Sequence, residues 1–230
     1  MRMPLRTTLG FLLAFLVALG GAEARAETNQ EELVSKARLT IERLSASPDF
    51  GRMNAAIKTA QAVMIFPSVL KGSFIIGAEG GNGVLLTKDA NGEWSYPAFY
   101  TLGAGSIGLQ AGFQDAEAVF VINTLNGLNA VLNNNFKFGV EASVAVGPTG
   151  QGIEGSTTTA LGADIEAYSA TRGLFAGGSF EGAVVYERSD WGRNYYEVGA
   201  SARGVVMERA FRNPQADGLR EALAKISSAP

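Results

Sequence analysis

From Gly92 to Gly112 the chain reads GEWSYPAFYTLGAGSIGLQAG, and no other stretch narrows the possible folds as much. Trp94, Tyr96, Phe99 and Tyr100 crowd together, and Pro97 among them removes a backbone donor and so interrupts any central strand. After a glycine turn, Ile107, Leu109, Ala111 and Phe113 alternate with Ser106, Gly108, Gln110, Gly112 and Gln114, which is strand periodicity. Glycines on one strand face let a second backbone or a large ring lie flat against it. Gly103, Gly105 and Gly108 also spell G-x-G-x-x-G. That fingerprint needs a following helix to present its amides to a pyrophosphate, and here the pattern that follows is a strand.

Helical patterns flank this strand-rich centre. Thr28 with Glu31 forms a capping box, and Leu33, Ala37, Ile41 and Leu44 recur at steps of three and four on one face, with Val34 beside them. Ser47-Pro48-Asp49 restarts a helix continued by Phe50, Met53, Ile57 and Ala60. Ala62-Val-Met-Ile-Phe-Pro67 is a continuous apolar run ended by proline, as expected for a strand buried on both faces, and Pro67 to Gly72 reads as a turn. Gly77 to Gly83 reads as a hinge or tight loop, and Asp89 to Gly92 as a hairpin turn. Leu125, Leu128 and Leu132 mark a short helix, and Phe136 to Val146 alternates as one strand. Ile165 to Tyr168 and Leu174 to Glu187 complete the strands. Helices are expected over Ala202 to Phe211 and from Pro214, with Leu219, Leu223 and Ile226 on the apolar face of the last. The expected fold is α+β: a single domain with a twisted, mainly antiparallel sheet, curled toward a barrel and braced by N- and C-terminal helices. Its parts are a helical arm over 27–60, a strand-rich core over 62–187 and C-terminal helices over 198–226 of a domain spanning 27–230.

The chain has no Cys and no His. That excludes thiol nucleophiles, Ser-His-Asp triads, histidine-ligated metals and disulfides, and neither cofactor nor metal is expected. Residues 1–26 read as an export signal: Arg2 and Arg6, the apolar run Leu9 to Leu19, then cleavage boxes that end at Ala24 or Ala26. An uncleaved anchor is the competing reading, although the run is short for a bilayer span. The formal charge of −3 becomes more acidic when the leader takes Arg2, Arg6 and Arg25 with it, and this disfavours nucleic acid as a partner.

Several segments carry a family resemblance. They are Ala62 to Pro67, Gly77 with Gly83-Val84, Trp94-Ser-x-Pro-Ala-Phe-Tyr100, Gly108-Leu-Gln-Ala-Gly112, Gly147-Pro148, Tyr168-Ser-x-x-x-Gly-Leu-Phe-Ala-Gly177 and Glu181-Gly182. In this order they resemble the SYLF family of lipid-binding domains from about Glu32 to Leu223, with Glu197 departing from a common family glycine. The resemblance implies a non-enzymatic module that associates with phospholipid, phosphoinositide in eukaryotic members, through an amphipathic N-terminal helix. It also implies actin binding in some eukaryotic relatives and an exported, envelope-associated role in bacterial ones.

On that basis the expected partner is an anionic phospholipid or membrane surface, met by Leu33, Lys36, Ala37, Ile41 and Leu44 of the first helix. Arg52, Lys58 and Lys71 would supply cations, and Trp94 and Tyr96 interfacial rings. Each has a structural alternative, the stripe packing on the sheet and the rings sitting in the core. The alternative function is an envelope protein-interaction or scaffolding module. An outer-membrane barrel, and an enzyme using Asp164 and Glu166 as an acid–base pair, are two further readings.

Overall fold

The computed structural model describes residues 27–73, 76–107, 112–133, 136–146, 162–171 and 183–229. Residues 1–26, where the export signal was read, lie outside them, as do Gly108 to Ala111 and Gly147-Pro148.

The apolar run beginning at Ala62 becomes the central strand of the sheet. β1 (Ala62–Ser73) pairs antiparallel with β2 (Ile76–Thr87) on one side and β4 (Gly112–Ile122) on the other. Beyond β2 lie β3 (Ala98–Ile107), β8 (Val184–Glu187) and β5 (Phe136–Lys137); beyond β4 lie β7 (Ile165–Thr171) and β6 (Val144–Val146). The eight strands run in the order β5-β8-β3-β2-β1-β4-β7-β6 and curl into a half-barrel, mixed because β6 runs parallel to β7.

Strand alternation then divides β1 between two cores. Ala62, Met64, Phe66 and Val69 enter one, with Phe120, Phe136 and Phe138. This face is closed by α3 (Leu125–Leu132) and α5 (Ala202–Val206) through Leu128, Val131, Val205 and Val206. Val63 and Ile65 enter the other, which α1 (Asn29–Ala46), α2 (Gly51–Thr59) and α6 (Asp217–Ser228) cover with Ile41, Leu44, Met53, Ile57, Leu219 and Leu223. Among the described residues helices cover both faces of the sheet, which counts against the outer-membrane barrel reading. α4 (Ser189–Tyr195) carries Trp191 and Tyr195 against Phe99, ring centroids 6.0 and 5.1 Å away.

Several local expectations are corrected. Pro67 does not start a turn: β1 continues to Ser73, and the pairing slips on both sides between Ile65 and Leu70, the mark of a bulge that accommodates the missing proline donor. Gly77 to Gly83 is not a hinge but part of β2, and two of its glycines, Gly81 and Gly83, are explained by the bulge. A Cβ on Gly81 would lie 2.2 Å from the Ser68 carbonyl oxygen, and one on Gly83 would lie 2.6 Å from that of Ile65. In the opening stretch, β3 runs unbroken through Gly103 and Gly105 to Ile107, so the expected glycine turn there is absent. Phe136 to Val146 is not one strand either, because Gly139 turns it at φ 80° between β5 and β6. The helix expected over Ala202 to Phe211 stops at Val206, where the chain turns and Arg209 takes φ 54°.

Gly81→Ala and Gly83→Ala should each destabilise the domain by about 2 kcal/mol through overpacking against backbone. Gly103→Ala, with nothing within 4 Å of the added carbon, should stay within about 0.5 kcal/mol of the parent. Urea unfolding checks this, and equal effects at Gly81 and Gly103 would contradict the bulge assignment.

Candidate functional site

The expected lipid-binding residues do not form one surface; the fold divides them between its interior and its outer helical face. α1 begins with the capping box read from Thr28 and Glu31: the Thr28 amide donates to Glu31 Oε2 at 2.8 Å, and the Glu31 amide donates to Thr28 Oγ1 at 3.3 Å. Its apolar stripe then packs on the sheet, with Leu33 8% exposed and Ala37, Ile41 and Leu44 fully buried. At roughly 1.5–3 kcal/mol for each large side chain, Leu33, Val34, Ile41 and Leu44 together contribute on the order of 10 kcal/mol. That equals the whole stability of many domains. The stripe therefore closes the core, and a membrane could reach it only by removing α1 from the sheet.

Trp94 and Tyr96 are also committed internally. Trp94 is 1% exposed and donates its indole N–H to Ser227 Oγ at 3.2 Å. Half-buried Tyr96 donates to Asp217 Oδ1 at 2.8 Å, under the Arg220 guanidinium 4.4 Å from its ring. Arg220 also donates to the Trp94 carbonyl at 2.9 Å. Together these groups clasp α6 to the strand-rich centre. Tyr195 extends the clasp by donating to Gln215, whose amide reaches the Glu31 carbonyl of α1 at 3.1 Å.

The cations are dispersed. Lys36 is exposed and pairs with Glu32 at 2.6 Å, a surface contact that contributes little. Arg52 is exposed on α2, and Lys58 sits in the last turn of that helix, beside a groove reaching α6. There Lys88 satisfies the final carbonyls, donating to Ile57 O at 3.1 Å and Lys58 O at 2.7 Å. Lys71 lies not in a turn but within β1, in register with Glu79 on β2 and Gln114 on β4.

An arrangement that shares only Lys36 with the expected residues emerges along the outer edge of α1, beside the β1 bulge. A cleft of about 330 Å³ is lined by Lys36, Leu39, Thr40, Arg43, Pro67, Ser68, Asp115 and Glu117. Glu117, 9% exposed, accepts from Thr40 Oγ1 at 2.9 Å and pairs with Arg43, while Ser68 Oγ donates to Asp115 at 2.7 Å. On the rim Leu39 is 55% exposed, and Leu70, just past the bulge, is 58% exposed. Val69 enters the opposite core, so pleating turns Leu70 toward the α1 side. One signal was readable beforehand: Glu117 is the single acid in the otherwise apolar Ala116 to Ile122 segment.

Asp164 and Glu166 are structural. Asp164 accepts from Thr124 Oγ1 at 2.5 Å, from the Ser143 amide at 3.0 Å and from Ser143 Oγ at 2.8 Å, joining α3, β6 and β7. These donors, Thr124 foremost, lower its pKa to about 2, so it holds no proton to donate near neutrality. Glu166 accepts from Asn123 and from Tyr168 at 3.1 and 2.5 Å. The pair is occupied with its own neighbours.

Residues 103–226 match the family model Ysc84, described as Las17-binding protein actin regulator. The chain is 32% identical over 157 residues to SH3 domain-containing YSC84-like protein 1 of Bos taurus, covering 68% of this chain and 46% of the relative. The Xenopus laevis protein of that name is 31% identical over 169 residues, 73% of this chain and 50% of the relative. LAS seventeen-binding protein 3 of Saccharomyces cerevisiae is 29% identical over 166 residues, 71% and 36% respectively. The chain thus spans about half the length of the animal relatives and a third of the yeast one.

Folding lowers the Asp164 pKa from 3.8 to about 2, so its contribution to stability is present when the carboxyl is ionised in both states, above about pH 5. It is lost as pH falls through 4 toward 2. Asp164→Asn should lower the melting temperature at pH 7 and flatten the decline between pH 4 and 2. An unchanged acid limb in thermal melts would contradict this.

Proposed function

The chain belongs to the Ysc84 (SYLF) family, and within it we propose a non-catalytic domain that docks on anionic phospholipid at a membrane surface as a folded unit. The supporting observation is the rim of the α1 cleft, where exposed Leu39 stands with Lys36 and Arg43 and exposed Leu70 lies in register with Asp115 of the lining. Leucines can enter the interfacial region while adjacent bases meet lipid phosphates. Because Lys36 and Arg43 already pair with Glu32 and Glu117, the electrostatic part of the attraction is modest. This reading moves the contact from the buried stripe to the outer edge of the same helix.

No helix among the described residues is long and apolar enough to cross a membrane. The proposal is accordingly peripheral association, with residues 1–26 directing export to the periplasm. N-terminal sequencing of the periplasmic protein should begin at Arg25 or Glu27, and Met1 there would contradict removal of the leader. A second reading is a protein-interaction module, supported by relatives named for binding Las17. Under that reading a partner complex survives detergent and vesicles are not needed.

Co-sedimentation separates the two. The protein should pellet with vesicles containing phosphatidylglycerol at low salt and somewhat less with phosphatidylcholine alone. Leu39→Asp combined with Leu70→Asp should weaken vesicle partitioning by about thirtyfold or more, since each leucine inserted contributes about 1 kcal/mol or more. Absence of pelleting at low salt, or undiminished pelleting of the double variant, overturns the lipid reading.

A further inference from the structure

The β1 bulge also decides what stands beneath the outer edge of α1. Phe66 pairs with Ala118 and Val69 with Ala116, so Pro67 and Ser68 together oppose one residue of β4, and that residue is Glu117. A two-against-one step of this kind re-aims the side chains around it. Here Glu117 Oε1 accepts from Thr40 Oγ1 at 2.9 Å, and Oε2, itself buried, faces the guanidinium of Arg43 in the last turn of α1.

The two bases of the cleft are therefore held differently. Lys36 and Glu32 are both more than half exposed, so water screens their contact and Lys36 can exchange Glu32 for another anion at little cost. Arg43 is half exposed as well, but its partner is not: the Glu117 side chain is 11% exposed and is fixed by Thr40. Glu117 cannot swing out to solvent, and a carboxylate taken from water holds a guanidinium more firmly than an exposed one. Arg43 still turns part of its five-donor fork outward, where a lipid phosphate can reach it. The donors facing Glu117 are already taken, and the carboxylate repels a second anion placed beside it.

Resting on the lipid reading above, we infer that Glu117 restrains docking by competing with lipid phosphate for the Arg43 guanidinium. Arg43 is thereby held in reserve, and the rim meets an anionic membrane with one base fewer than it displays. A role confined to tying α1 to β4 would change the melting temperature when Glu117 is replaced. Competition would also raise lipid affinity, and only while Arg43 is present.

The test is a double-substitution cycle read by partitioning onto phosphatidylglycerol vesicles at low salt, with thermal melts as the control for folding. Glu117→Gln keeps an acceptor for Thr40 and should partition about fivefold more strongly, the ~1 kcal/mol that one base contributes beside an anionic surface. Arg43→Gln alone should weaken partitioning by less than about twofold, and in the Glu117→Gln background the same substitution should remove the gain. Phosphatidylcholine vesicles should not distinguish the four proteins. A Glu117→Gln protein that partitions like a parent that does pellet overturns the inference and leaves the lipid reading standing. So do opposite effects of the two single substitutions that simply add, because each charge then acts through the general field without competition. If Glu117→Gln fails to fold, Arg43→Gln decides: a loss of about fivefold from the parent shows an Arg43 already free for lipid and overturns the inference, and a loss under about twofold supports it. Absence of pelleting by the parent and by Glu117→Gln alike overturns the lipid reading and this inference together.

Discussion

β1 is buried on both faces, and the architecture follows from that condition. Its residues alternate between two cores, Met64 and Phe66 into one and Val63 and Ile65 into the other, so each side of the sheet needs a helical cover. α3 and α5 supply the first. The second is made from the two ends of the described chain, α1 and α2 from one and α6 from the other. The stripe of α1 is thereby used in folding, and a membrane reaches the side chains that make the helix amphipathic only by lifting α1 from the sheet.

The bulge at Pro67-Ser68 reconciles a long central strand with a helix packed across it. It shifts the register of β1 against both neighbours, and Gly81 and Gly83 supply the space it occupies. The same offset leaves Leu70 exposed, while Glu117 ties Arg43 and Thr40 of α1 to β4. The aromatic clasp of Trp94, Tyr96 and Tyr195 fastens α6 and Gln215 to the centre and to α1. With these connections α1 and α6 are held to the sheet as parts of one preformed body.

Features governed by neighbouring residues were legible in the sequence. The capping box at Thr28, the Asp89 to Gly92 hairpin turn, the Leu125 to Leu132 helix and the stripes of α1 and α6 depend on contacts a few residues apart or on simple periodicity. What a stripe packs against is a long-range fact, so periodicity left open whether the stripe of α1 met the sheet or a membrane. Pro67 and the Gly77 to Gly83 run misled for a related reason. Alone, each is a turn signal; together, on adjacent strands, they form a bulge and the gap that receives it. Trp94 and Tyr96 have the composition of interfacial rings, and it is Ser227 and Asp217, more than a hundred residues away in sequence, that make them internal.

α1 is either a structural layer or a releasable arm. Amide hydrogen exchange, followed with and without phosphatidylglycerol vesicles, measures this directly. If the layer is structural, the amides of Leu33 to Leu44 are protected to the same extent as those of Val63 to Phe66 and keep that protection on vesicles. If those helix amides exchange much faster than the strand, or lose protection when vesicles are added, then α1 leaves the sheet and the buried stripe is the lipid-binding element after all.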